Sequence, residues 1–93
     1  MEFIAPNVSG FTIYGKTGCS YCDKVKDLLT EFNEPFTYVN CDEYLATHRD
    51  AFLEFVKEKA GKEYKTFPMV FSSGQFIGGF KDTFQLLCNK QDV

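Results

Sequence analysis

The sequence predicts an α/β fold: a mixed four-stranded sheet with helices on both faces, in the order β-α-β-α-β-β-α. Three observations carry this expectation. Short apolar runs of strand length alternate with segments whose apolar residues recur at helical spacing. The last two strand runs are joined by a tight Ser-Gly turn, which makes them antiparallel neighbours. The chain has 93 residues, 44% hydrophobic with eleven Phe, enough to build a core without metal or cross-links. A single domain spanning residues 1–93 is expected.

Each element has its own signal. Phe11-Thr12-Ile13-Tyr14 reads as a strand. Val25, Leu28, Leu29 and Phe32 recur at i, i+3, i+4 and i+7, one face of a helix from about Ser20 to Phe32. Pro35 bars its continuation. Phe36-Thr37-Tyr38-Val39 reads as a second strand, reached by a right-handed parallel crossover. Thr47, with Asp50 three residues on, reads as the cap of the next helix. Phe52, Phe55 and Val56 supply that helix's buried face, and Gly61 suits a left-handed end. Met69-Val70-Phe71, the Ser72-Ser73-Gly74 turn and Phe76-Ile77 form a hairpin. A last helix follows Gly78-Gly79, with Phe84, Leu87 and Cys88 on its apolar face.

Charge and composition exclude several classes. The net charge of -3 argues against a general nucleic-acid binder. No run approaches the roughly 18 apolar residues of a membrane span. Residues Met1 to Gly10 lack a basic n-region and a long apolar stretch, so no signal peptide is expected. A cytoplasmic location follows as the expectation, where thiols stay reduced and disulfides tend to be catalytic. Asn7-Val8-Ser9 matches a glycosylation sequon, which has no force without export.

Cys19-Ser20-Tyr21-Cys22 carries the chemistry. The pair sits between a strand and a helix, with Gly15 to Gly18 as the turn. Cys19 is thereby placed at a helix start, where free N–H groups and the helix dipole favour an anion. A thiolate is such an anion, so a redox site is expected. Zinc would require further close-spaced Cys or His ligands. Cys41 and Cys88 are single and distant, and His48 is the one His. A purely structural disulfide this short would cross-link little chain. Lowering a thiol pKa by about 2 units from about 8.5 raises the thiolate fraction at pH 7 roughly 25-fold. Intrinsic nucleophilicity falls roughly tenfold at the same time, so attack gains only a few-fold. The larger benefit comes when Cys19 must leave from a mixed disulfide. Lys16 lies close enough in sequence to support the anion. Cys22, one turn into the helix, is expected to be more buried and to act as resolving thiol. Cys41 and Cys88 read as small hydrophobes.

Three motifs in order resemble the glutaredoxins, the glutathione-dependent branch of the thioredoxin fold. They are Lys16-Thr17-Gly18-Cys19-Ser20-Tyr21-Cys22, Thr66-Phe67-Pro68, and Gly78-Gly79-Phe80-Lys81-Asp82. The resemblance runs from Phe11 to about Asn89 and is strongest to short dithiol members. Ser20 replaces a common Pro, Phe67 a usual Val, and Lys81 a frequent acidic or small polar residue.

The resemblance implies a glutathione-dependent thiol–disulfide oxidoreductase of thioredoxin-like fold. Its substrates would be protein disulfides and glutathione mixed disulfides, ribonucleotide reductase among the protein partners of the family. A monomer is expected. The family's glutathione site carries over to Lys16, Tyr21, Thr66, Phe67, Pro68, Gly79, Phe80, Lys81 and Asp82. Lys16 would hold the glycine carboxylate; its other reading is a solvated turn lysine. The Phe67-Pro68 peptide would be cis, turning the Phe67 backbone toward the glutathione cysteine. Gly78-Gly79 would admit close backbone approach. Asp82 and the last helix N-terminus would receive the γ-glutamyl ammonium and carboxylate; Asp82 also reads as a plain helix cap. Tyr21 would shape the cleft, or pack as a half-exposed aromatic. Tyr44, His48 and Tyr64 carry no sharp signal. Some family members bridge two subunits with a [2Fe–2S] cluster held by the nucleophilic cysteine and glutathione; Ser20 resembles those, which would make Cys19 a metal ligand.

Overall fold

The computed structural model describes residues 2–91. Strand β1 (Phe11–Gly15) leads to helix α1 (Ser20–Glu31) and strand β2 (Phe36–Asn40). Helices α2 (Asp42–Thr47) and α3 (Arg49–Ala60) follow, then β3 (Met69–Ser72), β4 (Gln75–Gly78) and α4 (Phe80–Gln91). The sheet order is β2-β1-β3-β4. β1 pairs parallel to β2 and antiparallel to β3, and β3 pairs antiparallel to β4.

All five β1 residues are buried, as a central strand covered on both faces requires. Successive side chains go to opposite faces. Phe11, Ile13 and Val70 join Val25, Leu28, Leu29 and Leu87 of α1 and α4 in one core. Tyr14, Met69 and Phe71 join Val39, Cys41, Phe52 and Val56 in the other, beneath α3.

Chain reversals follow local chemistry. Asn33 adopts φ 56° after α1. Its N–H donates to Thr30 O at 3.1 Å, and the Glu34 N–H to Leu29 O at 2.9 Å. This is the Schellman pattern, with Pro35 directly beyond. Gly61 ends α3 at φ 78°, as expected. Ser73 and Gly74 both have positive φ, 50° and 82°, which suits a two-residue type I′ hairpin.

Three expectations are corrected. Thr47 does not cap α3; it closes an additional helix, α2, its hydroxyl donating to Glu43 O at 2.8 Å. His48 occupies the α3 N-cap without a side-chain cap bond. The extra helix starts where the Asn40 side chain accepts the Asp42 N–H at 2.9 Å and two acids fill the first turn. Phe84 is 47% exposed, not buried with Leu87; its ring stacks on Phe80 at 6.2 Å instead. Phe55 is only half-buried.

The N-terminal segment was unforeseen as a packing element. Phe3 lies within 5.5 Å of the rings of Tyr44 and Phe52. The Tyr14 hydroxyl donates to Ile4 O at 2.6 Å.

Buried Cys41 makes a pH prediction. Its thiol donates to Val39 O at 3.6 Å. Burial, with the Asp42 charge second, pushes the thiol from 9.0 up to about 12. The folded state therefore prefers the neutral thiol. That contribution is complete below pH 9 and is lost as pH rises toward 12. Tyr14 and Tyr38 are also raised, from 10.0, so their losses come later. Thermal unfolding of oxidised Cys41→Ala should show a smaller fall in Tm between pH 8 and 10 than the parent. Equal falls would contradict this assignment.

Candidate active site

The site begins where β1 runs out. A Cβ at Gly15 would overlap the Tyr38 ring and hydroxyl, so a larger residue there would have to displace that ring. Thr17 is tied to Asp42 at the start of α2: its N–H donates to Oδ1 at 2.9 Å and its hydroxyl to Oδ2. These bonds, with Lys16's charge a lesser cause, hold the Asp42 carboxyl below its usual range. Gly18, at φ 77°, then turns the chain into α1.

Cys19 is the α1 N-cap, with extended backbone at φ -106° and ψ 103°. Its Sγ accepts the Cys22 N–H at 3.2 Å. A sulfur thus occupies the place of a capping oxygen, pointed at the free N–H groups of the helix. Cys19 and Cys22 form a disulfide with Cα atoms 5.3 Å apart. Cys19 is half-exposed, whereas Cys22 is fully buried. The first-turn acid, Asp23, pairs with Lys26 at 3.5 Å.

The second wall comes from the loop before β3. The Phe67-Pro68 peptide is cis. Phe67 O lies 3.7 Å from Cys19 Sγ. Lys16 Nζ sits over the Phe67 ring, 5.5 Å from its centroid. The third wall is the start of α4. The Gly79 N–H donates to Asp82 Oδ2 at 3.1 Å, and the Thr83 hydroxyl to Gly79 O at 2.9 Å. Asp82 is therefore a helix cap at its third position, while its carboxylate still faces the cleft.

Between these walls is a cleft of about 310 Å³. Tyr21, Phe67, Pro68, Gly79, Phe80, Lys81 and Asp82 line it, together with Tyr64. Seven of the nine residues proposed for glutathione are thus brought together. Thr66 is exposed and outside the lining, and Lys16 reaches the site through Phe67. Sequence reasoning missed two residues. Tyr64 packs edge-on to Phe76 at 4.8 Å, and its hydroxyl would lie 3.0 Å from a Cβ at Gly79. Asp42 anchors the loop before Cys19. Its signal was the Asn40-to-Asp42 run after a strand, which could have been read as a turn cap.

A disulfide-forming pair at a helix N-terminus, beside a cis-proline loop on a mixed sheet, defines a thiol–disulfide oxidoreductase of the thioredoxin fold. The family profile described as Glutaredoxin matches residues 11–77, and the chain belongs to the glutaredoxin family. Glutaredoxin 1 of Escherichia coli K12 is 35% identical over 74 residues, covering 75% of this chain and 82% of that protein. The bovine mitochondrial glutaredoxin-2 is 37% identical over 76 residues, 80% of this chain. The match spans only 45% of that longer protein. The crystal structure of Francisella tularensis glutaredoxin 1, complexed with cacodylate, superposes with a TM-score of 0.75 at 26% identity. It covers 89% of this chain and 96% of that one.

Proposed function

We propose that the chain is a glutathione-dependent oxidoreductase that reduces protein disulfides and glutathione mixed disulfides. The carrying observation is the asymmetry of the pair: half-exposed Cys19 caps α1 with its sulfur, and Cys22 is buried beneath it. Cys19 thiolate attacks a substrate sulfur, forms a mixed disulfide and expels the first substrate thiolate, which takes a proton. Cys22 then attacks Cys19 Sγ, releases the second substrate thiol and closes the Cys19–Cys22 disulfide. One glutathione thiolate opens that disulfide onto Cys19. A second attacks the bound glutathione sulfur, yielding oxidised glutathione and the free Cys19 thiolate. Two electrons pass from two glutathiones to one substrate disulfide. Cys19 leaves readily because its anion is stabilised at the helix N-terminus.

In this reading the tripeptide lies in the cleft. Lys16 attracts one of its carboxylates, and Asp82 with the α4 N-terminus takes the γ-glutamyl end. Lys16→Ala should raise the apparent KM for a glutathione mixed disulfide roughly two- to thirtyfold, the span of partly exposed charged contacts. Asp82→Asn keeps an oxygen for the Gly79 N–H while removing the charge, so a similar rise would separate ligand binding from capping. Wild-type KM in both variants would place the glutathione site elsewhere.

Ultraviolet titration of reduced protein tests the thiolate directly. Cys19 should ionise well below an ordinary thiol, and Lys16→Ala should move it up. An ordinary value in the parent would remove the electrostatic account. The [2Fe–2S] reading stays a proposal from the family resemblance: Cys19 of two copies and two glutathiones would supply the four ligands. Ribonucleotide reductase, a cytoplasmic location and a monomeric state stay proposals from the family resemblance.

A further inference from the structure

Four large hydrophobics are exposed among the described residues: Ile4 and Val8 in the N-terminal segment, and Tyr21 and Phe84 in one strip. Tyr21 at 53% and Phe84 at 47% exposure flank the half-buried Phe80. Tyr21 and Phe80 ring centroids are 5.8 Å apart, and Phe80 and Phe84 stack at 6.2 Å with planes 16° apart. The three rings form one strip from the first turn of α1 along α4. Its near end is the wall of the cleft beside Cys19; its far end, Phe84, lies outside the cleft lining.

The rings are bordered by cations in a chain of net charge -3. Lys24 Nζ sits 4.7 Å from the Tyr21 centroid. Lys81, also exposed, lies between Phe80 and Asp82 at the cleft mouth. The nearby acids are engaged: Asp23 with Lys26, and Asp82 with the Gly79 N–H. The strip thus presents apolar area with Lys24 against Tyr21 and Lys81 beside Asp82 at the cleft mouth. Exposed rings that leave water only on contact with a partner are the usual anchors of an interface.

We propose that Tyr21, Phe80 and Phe84, with Lys24 and Lys81, form a docking strip for the protein substrate. The occupant is an extended segment that flanks the substrate's disulfide and carries an aromatic residue beside acidic ones. The strip is continuous with the redox cleft, so a segment lying on it delivers its disulfide to Cys19. Phe84 lies outside the lining of the cleft proposed for glutathione. Protein substrates would share Tyr21, Phe80 and Lys81 with small mixed disulfides and use Phe84 and Lys24 in addition. The inference rests on the proposed oxidoreductase function.

The test uses disulfide-bridged peptides, one with Phe and Glu flanking the bridge, one with Lys replacing Glu, and one with Ser replacing Phe. Each is assayed beside the mixed disulfide of glutathione and mercaptoethanol. The parent should reduce the Phe-Glu peptide with kcat/KM at least about fivefold above either control, and the preference should shrink with added salt. Phe84→Ala and Lys24→Glu should each remove most of that preference while leaving the small mixed disulfide within about twofold. A parent without preference, or variants that keep it, would overturn the strip. Binding of the Phe-Glu peptide with its cysteines replaced by Ser is followed by shifts of the Phe84 ring resonances. That readout needs no turnover. Shifts at Phe84 without any turnover would sink the oxidoreductase reading and keep the strip; turnover without shifts or preference would do the reverse.

Discussion

Replacing Cys19 by Ser should abolish turnover of protein disulfides and of glutathione mixed disulfides alike. The hydroxyl can still cap α1, so the fold should persist, but its oxygen is neither an anion at neutral pH nor able to exchange with a disulfide. Cys22→Ser should behave differently. In the proposed mechanism the buried Cys22 only resolves a mixed disulfide from within, so the variant should keep turning over glutathione mixed disulfides. It should lose most reduction of protein disulfides that requires both thiols. Mass spectrometry after exposure to oxidised glutathione gives an independent reading: a stable glutathione adduct on Cys22→Ser, none at residue 19 of Cys19→Ser. An inactive Cys22→Ser beside an active Cys19→Ser would reverse the two roles.

The largest effect on stability is expected at Phe52. Its ring is fully buried and lies 5.2 to 6.4 Å from the rings of Phe3, Tyr14, Tyr44, Phe55 and Phe67. Phe52→Ala should therefore lose about 3–5 kcal/mol, transfer energy plus an unfilled cavity. Small domains hold only about 5–15 kcal/mol in total, so the variant should be marginal at room temperature. The loss should also reach the site, because the Phe52 and Phe67 rings stack within 7° of parallel. Phe52→Leu, which refills most of the volume, should recover much of the stability but not that stacking. Urea denaturation measures both; a loss under 1 kcal/mol for Phe52→Ala would show that the neighbouring rings collapse into the space.

The period of the apolar residues on β1 and α1 was enough to place both elements within a residue of their observed ends. That period reports burial on one face, or on both, which is what fixes a local conformation. Gly61 and Pro35 were equally legible, since each acts through its own backbone geometry. The short helix α2 was not. It buries no residue, so it left no apolar pattern, and its start depends on a side-chain bond from Asn40. Phe84 was misread for the opposite reason. Its spacing from Leu87 and Cys88 fits a buried face, but its ring lies against Phe80 and stays 47% exposed.

The cysteine pair, its place at a helix start and the three-motif order belong to the sequence, because strand, turn and helix signals around residues 11–32 are local. The cleft does not. Tyr21, Phe67, Gly79 and Asp82 are distant in the chain and meet only because α1, the loop before β3 and the start of α4 reach one end of the sheet. Asp42 and Tyr64 became visible for the same reason: their partners, Thr17 and Gly79, are 25 and 15 positions away. Contacts at that separation leave no periodic trace. They are set by strand order β2-β1-β3-β4, and the strand order is set by how two apolar faces are covered at once.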